Sequence, residues 1–253
     1  MVRGLDRFRV FFRDFQDQYI LIGGAACDIL LSKSNFEFRV TRDLDIVLIA
    51  EALTTEFGRR FWEFIQEGGY ANLDKSDGTP QYFRFTEPSS DDYPQKLELL
   101  TRTDTTLNNE TQRYKSLGFG YGLASLSAIL LNDEYCQLLS DGRIVVDEIP
   151  MLSYSYLVLF KAKAWLNLNA ESDGGKHVNS NDIKKHLNDI ARLSVLFTGT
   201  DSVTIPTPVY NDLHKFINAF ESKPPNMEDL EIPAITGADV VETLRSVYSI
   251  MDK

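Results

Sequence analysis

The spacing of apolar and polar positions divides the chain into two halves of different character. Leu5, Phe8, Phe12 and Phe15 recur at helical intervals, which predicts an amphipathic helix over residues 4–16 with its charges on the other face. The run YILI then predicts a buried strand closed by Gly23 and Gly24, and AACDILLSK predicts a short helix leaving that turn. DLDIVLI predicts a second strand, and Leu53, Phe57, Phe61, Phe64 and Ile65 mark a helix that stops at Gly68 and Gly69. QYFRFTE and KLELLTR predict two further strands, separated by the turn-rich PSSDDYP.

Residues 104–122 read as a loop. Its GFGYG lacks the following helix that a phosphate-binding G-x-G-x-x-G turn requires, so it is expected to be a plain connector. LSAILL, EYCQLL and RIVVDEI predict short strands. From Ser153 the pattern turns helical, through SYLVLFKAKAWLNL, NDIKKHLNDIARLSVLF, PVYNDLHKFINAF and ADVVETLRSVYSIM, with SKPPNMEDLEIPAITG as the loop before the last helix. The expected class is α+β: an N-terminal domain over residues 1–150 with a small mixed sheet, and a mostly helical domain over 151–253.

Composition narrows the setting. With 43% hydrophobic and 25% charged residues among 253, the chain has the make-up of an ordinary globular protein. No apolar run approaches the roughly 18 residues of a membrane span, and charges interrupt MVRGLDRFRVFFRDF throughout, so no membrane contact and a cytoplasmic location are expected. Cys27 and Cys136, placed in a helix and an apolar strand, form no zinc pattern with the three histidines and are expected to be buried thiols. A net charge of −11 repels polyanions over most of the surface, so a nucleic acid would need a local basic patch. His177 and His186 with Lys176, Lys184 and Lys185 form one small cluster of that kind, which also reads as a solvated helical face.

The candidate chemistry lies in the second strand. Residues two apart on a strand share a face, so Asp43 and Asp45 project side by side and would repel unless a cation or a proton meets them. Glu98, between Leu97 and Leu99, points away from its apolar neighbours and completes a three-carboxylate cluster if its strand lies beside the first. Hard oxygen ligands suit Mg2+ or Mn2+, and such clusters serve phosphoryl and nucleotidyl transfer. Gly23 and Gly24 at a helix start would let backbone N–H groups approach a phosphate.

The order LIGG, TRDLDIVL, LELL resembles the signature of the nucleotidyltransferase superfamily related to DNA polymerase beta. The longer spacing, with Arg39 and Thr41 ahead of DLD, is similar to the GG…R-x-T-x-D-L-D form of AbiEii-type toxins. The resemblance covers roughly residues 19–102 and implies a nucleotidyltransferase-fold N-terminal domain. It also implies two Mg2+ or Mn2+ ions held by Asp43, Asp45 and Glu98, with Glu98 helping to activate the attacking hydroxyl. Gly23, Gly24, Arg39 and Thr41 would then lie at the nucleotide.

A looser resemblance downstream, LVLFKAKAWLNL followed by NDIKKHLNDIARL, implies that a helical lysine and a later aspartate also reach the site. Lys161 and Lys163 are about 200° apart around a helix and cannot both face one cleft. Their apolar helix demands a partner for whichever points inward, and a triphosphate would serve; snorkelling to solvent is the other reading. Asp182 and Asp189 are both candidates for the aspartate, with Asp189 the better fit to the pattern; Lys161 and Asp189 are assigned to the catalytic set, Lys163 and Asp182 to the nucleotide. The implied activity is transfer of a nucleoside monophosphate from an NTP to an acceptor hydroxyl, tRNA among the candidates, by a toxin whose partner is an antitoxin. A small molecule or a protein tyrosine stays open as acceptor, and a non-catalytic nucleotide-binding module acting through a protein partner is the alternative.

Overall fold

The computed structural model describes residues 2–72, 82–100, 129, 132–232 and 235–251. Their contacts form two compact units that interleave along the sequence: the first takes residues 2–29, 39–72, 82–100 and 143–152, the second 30–38, 129, 132–142, 153–232 and 235–251. The predicted 104–122 loop, its GFGYG and most of LSAILL lie outside the described residues.

The first unit is built on a mixed sheet, and α+β is the class observed. Its strands are β1 (Tyr19–Ile22), β2 (Asp43–Leu48), β3 (Ala71–Asn72), β4 (Tyr82–Thr86), β5 (Lys96–Leu100), β6 (Arg143–Val146) and β7 (Ile149–Leu152), in the order β3-β4-β5-β2-β1-β7-β6. β2 runs parallel to β5 and antiparallel to β1, and β5 is antiparallel to β4. All four residues of β1 are buried, as expected of a central strand covered on both faces.

Alternation sorts this sheet into two faces. Tyr19, Leu21, Leu44, Ile46, Leu97, Leu99 and Phe85 share one by register and are buried. On it sits an aromatic layer from α1 (Leu5–Phe11), Phe12 just after it, and α3 (Thr55–Gly68): Phe12 lies 5.4 Å from Phe64 and Phe61 lies 5.6 Å from Phe85, centroid to centroid. Thr54 caps α3, its hydroxyl accepting from the Phe57 N–H at 3.1 Å, and Gly69 ends the helix in the left-handed region at φ 60°. The helix expected over 4–16 is shorter: α1 stops at Phe11 and a 3-10 segment, Arg13–Gln18, turns the chain into β1.

Two expectations downstream are corrected. EYCQLL is not a strand but lies in the helix α4 (Asp133–Asp141), capped by Asn132, whose side chain accepts from the Tyr135 N–H at 3.1 Å. Tyr135, Leu138 and Leu139 bury one face at helical spacing, and Cys136 sits half-buried on that helix. RIVVDEI is two strands rather than one, because Asp147 and Glu148 both adopt positive φ, 47° and 64°, in a two-residue hairpin turn.

The second unit is mostly helical: α4, α5 (Tyr154–Asp173), α6 (Ser180–Leu193), α7 (Thr207–Ser222) and α8 (Gly237–Val247). α2 (Gly23–Lys33) starts in the first unit and ends in the second. α5 buries every residue from Leu157 to Ala162, so it is a central helix. The last predicted helix ends early, and its tail becomes β9 (Tyr248–Ile250), parallel to β8 (Val203–Ile205). No helix among the described residues is long and apolar enough to cross a membrane.

Candidate active site

The polar face of the sheet carries the candidate site. Asp45 stands opposite Glu98 across the parallel β2–β5 pair, and Asp43 stands opposite Lys96. On the far side of β5, Arg84 faces Glu98 and Thr86 faces Lys96. Strand period together with this register brings Asp43, Asp45, Lys96, Glu98 and Arg84 to one face, and KLELL lies beside DLDIVLI, the condition for the three-carboxylate cluster.

Charge is compensated within this group. Lys96 Nζ lies 2.8 Å from Asp43 Oδ2 and 3.0 Å from Glu98 Oε1, bridging the two carboxylates. Arg84 Nε donates to Glu98 Oε1 at 2.8 Å, and the Glu98 side chain is only 3% exposed. Burial works against the Lys96 charge, but Glu98 and Asp43 outweigh it and hold its pKa above the ordinary value. Asp45 meets the opposite balance: burial first, then Glu98 and Asp43, push its pKa up to about 8, which favours the protonated carboxyl and its hydrogen bond with Glu98.

The two glycines make room for these groups. Gly23 opens α2 at φ +70°, and a Cβ there would overlap the Asp45 carboxyl. A Cβ on Gly24 would lie 2.8 Å from Thr41 Oγ1 and 3.3 Å from an Arg39 guanidinium nitrogen, so Arg39 and Thr41 pack over the start of α2. Gly23, Gly24, Arg39, Thr41, Asp43, Asp45 and Glu98 are thus gathered in one place. Arg84 and Lys96 were not expected; the signal was their alternation with Phe83 and Phe85 and with Leu97, which puts them on the Glu98 face.

Among the described residues no group of three or more His, Cys, Asp or Glu side chains is arranged as a ready metal site. The chemistry of the donor set, three carboxylates at neighbouring register positions, is that of ligands to a hard divalent cation.

The helical candidates form their own pairs. Lys161 Nζ donates to Asp189 Oδ2 at 2.8 Å, with side chains 6% and 0% exposed, so the inward lysine meets a carboxylate of its own unit. Lys163 donates to Asp212 at 2.6 Å beneath the Tyr135 ring, and the Tyr135 hydroxyl donates to the same oxygen at 3.3 Å. Asp182 stands half-exposed in the first turn of α6, away from the buried position that Asp189 takes seven residues on. In the basic cluster Lys184 and Lys185 are exposed and Lys176 pairs with Glu171 at 3.4 Å, in keeping with a solvated face.

Comparison with known proteins adds a distant likeness. No family model and no curated protein matches the chain. A solved structure, that of an antigenic nucleotidyltransferase-like protein from Paracoccidioides brasiliensis, aligns over 98% of this chain and 95% of that one, at 14% identity and a TM-score of 0.47. At that distance the likeness carries no functional argument.

Proposed function

We propose that the chain is a metal-dependent nucleotidyltransferase. The observation that carries this reading is the opposition of Asp45 to Glu98, with Asp43 one pleat away and Gly23 leaving space for the Asp45 carboxyl. In the proposed reaction an acceptor oxygen forms a bond to the α-phosphorus of an NTP, the bond from that phosphorus to the β-phosphate oxygen breaks, and pyrophosphate leaves with the electron pair. Asp43, Asp45 and Glu98 would hold the divalent ions, which when bound stabilise charge on the attacking and leaving oxygens. Glu98 assists removal of the acceptor proton. The amide groups that begin α2 at Gly23 and Gly24 favour an approaching phosphate, and Arg39 adds positive charge beside them.

For the acceptor, the AbiEii-type resemblance of the Arg39, Thr41, Asp43, Asp45 segment favours the tRNA end, with an antitoxin as protein partner. The net charge of −11 requires that any such contact be local. A second reading, a nucleotide-binding module without turnover, is favoured by one observation: Lys96 and Arg84 already neutralise the carboxylates.

The test is pyrophosphate release from each of the four NTPs with Mg2+ or Mn2+, with and without bulk tRNA, comparing wild type with Asp45→Asn. Release that requires tRNA and disappears in the variant supports the transferase and its acceptor. Release without tRNA points to a small-molecule, protein or self acceptor. Metal-dependent NTP binding with no release under any condition supports the binding module, and undiminished release by Asp45→Asn overturns the site.

A further inference from the structure

Lys96 takes no part in the proposed reaction, yet it contacts two of the three carboxylates. We infer that Lys96 is a resident cation of the cluster, competing with a divalent ion for Asp43 and Glu98 and released when the ion binds. This rests on the proposed assignment of Asp43, Asp45 and Glu98 as metal ligands and extends it to how the ion enters.

The geometry argues for competition rather than coexistence. Lys96 Nζ touches both outer carboxylates, at 2.8 and 3.0 Å, using the oxygens a divalent ion would need. An ion bound to those oxygens at metal–ligand distances of about 2.0–2.6 Å leaves no oxygen lone pair in the same direction for the ammonium and repels it. Arg84 approaches Glu98 from β4, on the far side of β5 from β2, donating to its Oε1 at 2.8 Å.

The lysine also has freedom to leave. Its side chain is 25% exposed, against 3% for Glu98, so the lysine reaches solvent where Glu98 does not. Directly across the antiparallel pair, on the same face, Thr86 carries a buried hydroxyl oxygen with no hydrogen-bond partner among the described residues, which gives the displaced ammonium an acceptor. The ammonium stays charged throughout, and the exchange is one cation for another. The arrangement keeps Asp43 and Glu98 compensated while no divalent ion is present, at the cost of weaker metal binding.

The test is titration of the full, nucleotide-free chain with Mn2+, free ion being read by its electron paramagnetic resonance signal. Lys96→Gln is expected to bind Mn2+ tighter than wild type by about tenfold to a hundredfold, from removal of one competing charge. Lys96→Arg, which keeps a cation, should stay within about threefold of wild type, and Asp45→Asn should lose binding. Equal affinity in wild type and Lys96→Gln, with loss in Asp45→Asn, overturns the inference and leaves the metal site standing. Absence of Mn2+ binding in every form overturns both. A measurement on wild type alone guards against misfolded variants: reductive methylation of Lys96, read by mass spectrometry, should accelerate at saturating Mn2+, and an unchanged rate overturns the inference.

Discussion

Gly23 and Asp45 claim the same volume: at φ +70° Gly23 presents only hydrogen where a Cβ would meet the Asp45 carboxyl. Gly23→Ala therefore incurs both the left-handed penalty of about 1–2 kcal/mol and displacement of Asp45. Its expected outcome is a melting temperature lowered by several degrees together with loss of Mn2+ binding. Gly24→Ala meets the ends of Thr41 and Arg39 instead, groups able to move, and should retain binding with a smaller loss of stability. Differential scanning fluorimetry with and without Mn2+ separates the two.

Asp45 sets a pH dependence of the metal-free fold. Its folded pKa of about 8 lies above the ordinary 3.8, so between those values only the folded chain keeps the proton. The stability contributed by that neutral carboxyl is complete below the lower value and is lost as pH rises through the upper one. Asp45→Asn is neutral at every pH, so it should melt higher than wild type at pH 8 by roughly 2–4 °C per kcal/mol, the gap closing towards pH 4. Melting curves across that range check it, and saturating Mg2+ should narrow the gap by stabilising wild type alone.

The Lys161–Asp189 pair tests whether two sequence candidates are structural partners. Both are buried and bonded at 2.8 Å, so Lys161→Met alone removes the countercharge of a buried carboxylate and should cost about 3–5 kcal/mol. Lys161→Met with Asp189→Leu should recover most of that loss. Urea unfolding of the two variants reads the difference. Pyrophosphate release by the recovered double variant then shows whether the pair also serves the reaction.

The β6–β7 turn offers a stabilising change remote from the site. Asp147 and Glu148 carry φ of 47° and 64°, which favour Asn and Gly. Glu148 also pairs with Arg13 at 3.6 Å, but both side chains are about half exposed and such pairs contribute little. Asp147→Asn with Glu148→Gly should raise stability by about 1 kcal/mol with metal binding unchanged, checked by thermal melting and the Mn2+ titration.

Where the sequence reading succeeded and failed follows from the range of the forces involved. Helix α3 was legible because Phe57, Phe61, Phe64 and Ile65 bury one face, and Gly69 ends it by a local backbone rule. EYCQLL resembles a strand in sequence because so short an apolar run shows no clear period, and what makes it helical is its Asn132 cap and the packing of Tyr135 against Phe160 at 5.6 Å. The tail at Tyr248–Ile250 continues a helical pattern yet pairs with β8, and that partner lies more than forty residues away.

For the site itself, the sequence determined that Asp43 and Asp45 share a face, that Glu98 opposes its apolar neighbours, and that two glycines open the helix after β1. Each is a matter of strand period or of one residue's backbone freedom, and needs no partner element. Only the tertiary structure decided that β2 and β5 run parallel with Asp45 opposite Glu98 and Asp43 opposite Lys96, and that Arg84 reaches Glu98 from β4. Register is set by how whole strands bury their apolar faces against a shared core, so the positions of Lys96 and Arg84 on the carboxylates emerge from the assembled sheet and from no segment alone.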